Sequence, residues 1–132
     1  MTGMAMDKAS MCGRAVRGQL GYHAGLAAEG AVARHYTASG RPIAAIRWRG
    51  SAGELDLVAR EGNVVVFIEV KKSSSHARAA ERLTQRQMAR IYGAASEFLA
   101  SEPAGQMTES RFDVALVDAM GRIEIVENAF AA

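Results

Sequence analysis

The chain has 132 residues, 49% hydrophobic and 23% charged, which is the make-up of one ordinary globular domain without a bias towards disorder. A formal charge of +2 leans basic without identifying a nucleic-acid partner, and the lone Cys12 excludes an internal disulfide or a cysteine-rich zinc site. No apolar run approaches the roughly 20 residues of a membrane helix, so a reducing, cytoplasmic setting without a membrane partner is expected.

Residues 1–20, "MTGMAMDKASMCGRAVRGQL", lack the continuous apolar stretch of a signal peptide and read as a flexible leader. Residues 21–132 read as a single domain. Within it, "GYHAGLAAEGAVARHYTASG" predicts a helix ending at Ser39-Gly40. Tyr22, Leu26, Glu29, Val32, Ala33 and Tyr36 share one arc of that helix, so Glu29 is a carboxylate in an apolar stripe. Residues 42–48 predict a short strand. Residues 54–60 and 64–71 predict two more, joined by a turn around Glu61-Gly62-Asn63. A helical pattern runs from 77 to about 100 and stops before Pro103. "RFDVALVD" and "RIEIVEN" predict two final strands.

The hairpin carries the chemistry. Side chains alternate across a strand, so Glu54, Asp56, Val58 and Arg60 share a face with Val65, Phe67, Glu69 and Lys71. Leu55, Leu57 and Ala59 face the other way with Val64, Val66, Ile68 and Val70. A two-residue loop would set Glu54 opposite Glu69, and a four-residue loop would set Asp56 there. Either pairing brings two carboxylates within about 5 Å at Cβ. Like charges that close repel unless a cation lies between them. Lys71 is one cation, and a hard divalent ion such as Mg²⁺ or Mn²⁺ is a better one. The plainer reading is a set of cross-strand ion pairs at a solvated sheet end. Against it stands a known chemical need. Phosphodiester hydrolysis uses a metal to polarise the phosphate and to activate water. Asp56, Glu69 and the Val70 carbonyl could hold the metal, Glu29 could complete the acidic cluster, and Lys71 could orient water or stabilise developing charge.

"GELDLV…VVFIEVK" resembles the PD-(D/E)xK nuclease motif of the restriction-endonuclease-like fold. The run from Gly25 onward resembles the bacterial YraN family more closely. It has "G-x-x-A-E" from Gly25 to Glu29, "W-R…G-E-L-D-L-V-A-R", "V-F-I-E-V-K", "R-F-D-V" at 111–114 and "E-N-A-F" at 127–130. The resemblance implies an α/β, restriction-endonuclease-like αβββαβ core, with a mixed central sheet flanked by helices and kinship with Holliday-junction resolvases. It implies a metal-dependent DNA endonuclease, with branched DNA one candidate substrate. The alternative is a catalytically inactive nucleic-acid-binding module of the same fold, serving in a DNA-processing complex. Glu29, Asp56 and Glu69 become metal ligands and Lys71 the catalytic lysine, with Glu54 a site neighbour in "GE-x-D". The family carries a lysine where this chain has Gln87, so Gln85 and Gln87 are candidate neighbours without charge. A homodimer is expected by analogy, because resolving a junction takes two cuts.

Lys71, Lys72, Arg78, Arg82, Arg86 and Arg90 face only one acid in their stretch, Glu81. The arginines recur every four residues, so a single helix would carry them as a stripe suited to a polyanionic backbone, or as an ordinary solvated face. Trp48 reads as a core residue rather than a base-stacking platform. His23, His35 and His76 show no metal-binding spacing, and no phosphate-binding glycine loop is present.

Overall fold

A computed structural model describes residues 12–130, with side chains from Gly25 onward. Helix α1 (Cys12–Ala38) precedes strands β1 (Ile43–Arg49), β2 (Glu54–Glu61) and β3 (Val64–Lys72). Helices α2 (His76–Glu81) and α3 (Gln85–Leu99) lead to β4 (Ser110–Val117) and β5 (Ile123–Val126). The five strands lie in the order β1-β2-β3-β4-β5. All neighbours are antiparallel except β3 and β4, which run parallel and are joined by the helical crossover that such a pair needs. The result is the α/β fold with a mixed sheet in αβββαβ order, extended by β5.

Each sheet face meets a helix. Ala28, Val32 and Tyr36 recur every four residues on α1, so they share one face and are buried. They pack on Leu57, Ala59, Val66, Ile68 and Val70. Ile91, Ala94, Ala95, Phe98 and Leu99 of α3 cover Val58, Val65, Phe67 and Phe112 on the opposite face. Each fully buried side chain of this size contributes roughly 1.5–3 kcal/mol, which makes the two layers the main source of cohesion. Phe130 stacks on Phe112 at 5.2 Å and meets Tyr92 at 5.5 Å, so the "ENAF" segment closes the α3 side.

The structure departs from the sequence expectations at several points. Helix α1 begins at Cys12 rather than 21, so it takes in part of the stretch expected to be a flexible leader. Residues 1–11 and the Tyr22 and His23 side chains lie outside what is described. The helix expected over 77–100 is two helices. Thr84 adopts extended backbone, and its hydroxyl accepts the Gln87 N–H at 3.1 Å, which starts α3 anew. The four arginines therefore do not form one stripe: Arg78 lies on α2, Arg82 caps it, and Arg86 and Arg90 lie on α3.

The hairpin turn is Gly62-Asn63, because pairing extends to Glu61 and Val64. Gly62 sits at φ +60, a conformation that favours glycine. The expectation that a two-residue loop sets Glu54 opposite Glu69 is corrected: from the Glu61–Val64 pair, five steps along each strand reach Asp56 and Glu69. Leu55 also leaves its expected face and packs in the α3 layer, as does Trp48, whose ring meets Phe98 at 5.4 Å. The faces exchange where Arg47 lies between the pairs Ile46–Leu57 and Trp48–Leu55. Arg47 has φ 51, a strained value for a non-glycine residue that costs roughly 1–3 kcal/mol.

Candidate active site

Pairing between β2 and β3 is regular from the turn as far as Leu57–Ile68. One residue further on, the Asp56 side chain takes the place of a ladder partner: its Oδ2 accepts the Val70 N–H at 2.9 Å. In an extended strand the N–H and C=O of one residue leave by the same edge. The Val70 carbonyl is thus turned towards the same gap. Asp56 and Glu69 point to the α3 side, where they line one recess with Gln87 and Arg90.

Glu69 is 6% exposed and has three polar neighbours. Lys71 Nζ lies 3.1 Å from its Oε2, and Gln87 Nε2 donates to the same oxygen at 3.0 Å. Its carboxyl also hydrogen-bonds to that of Asp56. Burial, and then the Asp56 charge, push the Glu69 carboxyl up to about 8. Burial raises Asp56 too, against the Val70 N–H and Lys71, which favour its charged form. Both shifts disfavour two full negative charges on the pair at once, as expected of two desolvated carboxylates with too little positive charge.

Glu29 belongs to the α1 layer. Arg47 Nε donates to its Oε1 at 2.9 Å, and burial raises its carboxyl above the ordinary value. No group of three acidic, histidine or cysteine side chains poised to hold a metal occurs among the described residues. The donor set is two carboxylates and a carbonyl, with the remaining positions left to water or substrate oxygens. That composition suits Mg²⁺ or Mn²⁺, hard ions that keep several waters and take one or two carboxylates plus phosphate. Glu54 lies at the rim, exposed, 3.7 Å from Arg49. Gln85 is exposed in the first turn of α3 and does not line the recess of the carboxylate pair, unlike Gln87 two residues on.

Among the arginines expected to bind nucleic acid, Arg82 and Arg90 line recesses beside the carboxylates, while Arg78 and Arg86 are exposed elsewhere. Lys72 lies with Arg82, whose Nη1 donates to the Lys72 carbonyl at 2.9 Å.

Two features escaped the sequence reading. Arg47 has no site signal in the sequence, yet its side chain holds Glu29. Asp113 is fully buried, and accepts from the Tyr36 hydroxyl at 2.7 Å, Arg111 Nε at 3.0 Å and the Asn128 N–H at 3.0 Å. Burial and Asp113 keep the Tyr36 hydroxyl protonated well above its ordinary range. The "RFDV" and "ENAF" landmarks contained this signal, since they supply Asp113 and Asn128, but nothing local shows that they meet.

The profile of "Uncharacterised protein family UPF0102" matches residues 28–117. A UPF0102 protein of Cereibacter sphaeroides (strain KD131) is 73% identical over 115 residues, covering 87% of this chain and 98% of the relative. A UPF0102 protein of Ruegeria pomeroyi is 59% identical over 116 residues, covering 88% and 94%. A third, from Dinoroseobacter shibae, is 44% identical over 115 residues, covering 87% and 86%. The matched span runs from Ala28 to Val117 and takes in Glu29, the hairpin carboxylates and both crossover helices, so this chain belongs to the UPF0102 family.

Proposed function

We propose that the protein is a metal-dependent endonuclease of the PD-(D/E)xK type that hydrolyses phosphodiester bonds in DNA, in the manner of the YraN family. The observation that supports this most directly is the buried, mutually repelling pair of Asp56 and Glu69, with Lys71 in contact. Such a pair costs stability in the free protein and gains from a divalent cation. A bound Mg²⁺ or Mn²⁺ would polarise the phosphate and make the attacking water more acidic.

The chain's own groups have distinct tasks. Asp56 is fixed by the Val70 N–H, so its second oxygen has a set direction. Gln87 holds Glu69 Oε2. Asp56 and Glu69 would hold the ion, and the Lys71 ammonium, 3.1 Å from Glu69, would orient water and stabilise charge on the phosphate. Water oxygen forms a bond to phosphorus, the ester P–O bond breaks, and a proton reaches the departing alkoxide. Glu29 stays an outer acid while Arg47 holds it. DNA is the substrate this assignment requires, in the cytoplasm where it is found. Branched DNA would take two copies for two cuts.

One observation favours the inactive, nucleic-acid-binding reading. Gln87 supplies no charge where the resembling family has lysine, leaving Lys71 as the cation in contact with the pair. The test is cleavage of labelled four-way junction, flap, linear duplex and single-stranded DNA with Mg²⁺, Mn²⁺ or EDTA, beside a matched Glu69→Gln preparation. Metal-dependent cleavage that disappears in the variant is expected. Identical behaviour of the two preparations refutes catalysis on these substrates, and DNA binding without cleavage selects the inactive module.

A further inference from the structure

Resting on the metal-dependent nuclease reading, we infer that Arg47 is a positioning residue that withholds Glu29 from the ion, so that two carboxylates hold the metal and positions stay open for phosphate oxygens. The backbone gives the first sign. Among the described residues, two that are not glycine have positive φ, Arg47 and Asn128. Asparagine enters that region readily, because its short polar side chain can bond to the local backbone. Arginine has no such compensation, and Arg47 lies within strand β1 at φ 51. A residue stays in that conformation only where its surroundings impose it, and such residues gather at functional sites.

The side chain shows what the conformation achieves. Arg47 Nε donates to Glu29 Oε1 at 2.9 Å, which ties β1 to α1. Glu29 stands between two recesses. One contains Arg47 among apolar neighbours that include Leu26, Ala33 and Leu57. The other contains Val70 and Lys71. Lys71 in turn lies 3.1 Å from Glu69. Arg47 lines the first recess and not the second. It therefore holds Glu29 from the recess that lacks the lysine and the Val70 backbone.

Electrostatics set the two sides in competition. Burial raises the Glu29 carboxyl, the Arg47 hydrogen bond lowers it, and the Asp56 charge raises it again. Glu29 thus feels the charge of Asp56, and a cation held at Asp56 would attract it. Arg47 is the rival cation already in place. The outcome matters for phosphate chemistry. Mg²⁺ that acts on phosphates is bound by one or two carboxylates and keeps its other positions for water and substrate oxygens. A third carboxylate would hold the ion more tightly and take one of those positions.

The test is Mn²⁺ binding without DNA, read from the electron paramagnetic resonance signal of the free ion. Glycine accepts the backbone of residue 47, so Arg47→Gly is expected to keep the fold, with circular dichroism as the check. It is expected to bind Mn²⁺ about tenfold more tightly than the wild type, since a third carboxylate becomes available. In the Glu29→Gln background the same change is expected to alter affinity by less than about twofold. Simple loss of a positive charge would instead tighten binding equally in both backgrounds. Unchanged or weaker binding by Arg47→Gly, or equal tightening with and without Glu29, overturns the role of Arg47 and leaves the metal site standing. Glu69→Gln is the control for that site and is expected to bind Mn²⁺ weakly. Undiminished binding by Glu69→Gln, or none by the wild type, overturns the inference together with the reading on which it rests.

Discussion

Replacing Glu69 by glutamine should stabilise the metal-free protein, and by more as the pH rises. Glu69 is buried against Asp56, and its carboxyl is pushed from 4.5 up to about 8 by burial first and by the Asp56 charge second. A pKa raised by folding means that the folded state keeps a proton that the unfolded state releases. The stabilisation is therefore full below about 4.5 and is lost as pH rises through 8. One proton corresponds to about 1.4 kcal/mol per pH unit, so the loss between pH 6 and 8 is at most about 2–3 kcal/mol. For a domain of this size that is about 5–10 °C in melting temperature. Glutamine keeps the shape and cannot ionise, so the variant lacks this slope. Urea unfolding of both proteins in EDTA from pH 5 to 9 measures it. Parallel curves would refute the reasoning. Adding Mg²⁺ at pH 8 should then narrow the gap, by stabilising the wild type more than the variant.

Three further outcomes follow from the packing. Tyr36→Phe removes a 2.7 Å hydrogen bond to the buried Asp113 and should cost about 1.5–3 kcal/mol in urea unfolding, with cleavage unaffected. Thr84→Ala removes the cap of α3 and should cost about 1 kcal/mol; hydrogen exchange should show the first turn, with Gln87, fraying first. Gly50→Ala would put a Cβ 2.2 Å from Glu97 Oε1 and 3.0 Å from the Trp48 ring. Glu97 now accepts from Ser51 Oγ at 2.6 Å and from the Ala52 N–H at 3.2 Å, so it would have to let the loop go. The melting temperature should fall, and Glu97→Ala in the same chain should restore part of it. Additive losses would show that Glu97 is not the obstacle.

Periodicity made the elements legible. Val32 and Tyr36 at helical spacing, and the alternation through Val65, Phe67 and Glu69, place those residues on the faces they occupy. The spacing of an acid, a turn and Glu-x-Lys likewise anticipates the meeting of Asp56, Glu69 and Lys71. Gln87 at the pair was legible only through the resemblance. Gln85 was not separable from it without the phase of α3, which Thr84 sets. That break was hidden because arginines every four residues imitate one continuous helix, while the capping signal is a single threonine. Leu55 was misplaced because strict alternation assumes a regular strand. Arg47, with its positive φ, interrupts that regularity from the neighbouring strand. Such an influence across strands has no signature in the sequence of β2 itself.

The two faces of the sheet treat buried carboxylates in opposite ways, and the contrast supports the proposed site. On the α1 side, Asp113 has a donor for each oxygen: Tyr36 on one, Arg111 and Asn128 on the other. Removing any partner would leave a buried charge unmet, which marks the network as structural. On the α3 side, Asp56 and Glu69 have Lys71, one amide and one backbone N–H between them, and burial raises both carboxyls. Arg82 and Arg90 lie nearby, lining recesses beside the pair without an ion pair to it. A purely structural pair would be relieved by an arginine fork, as Asp113 is by Arg111. Oxygens left short of cations are what the proposed reading requires, in which the missing charge would arrive as a hard metal ion with its phosphate.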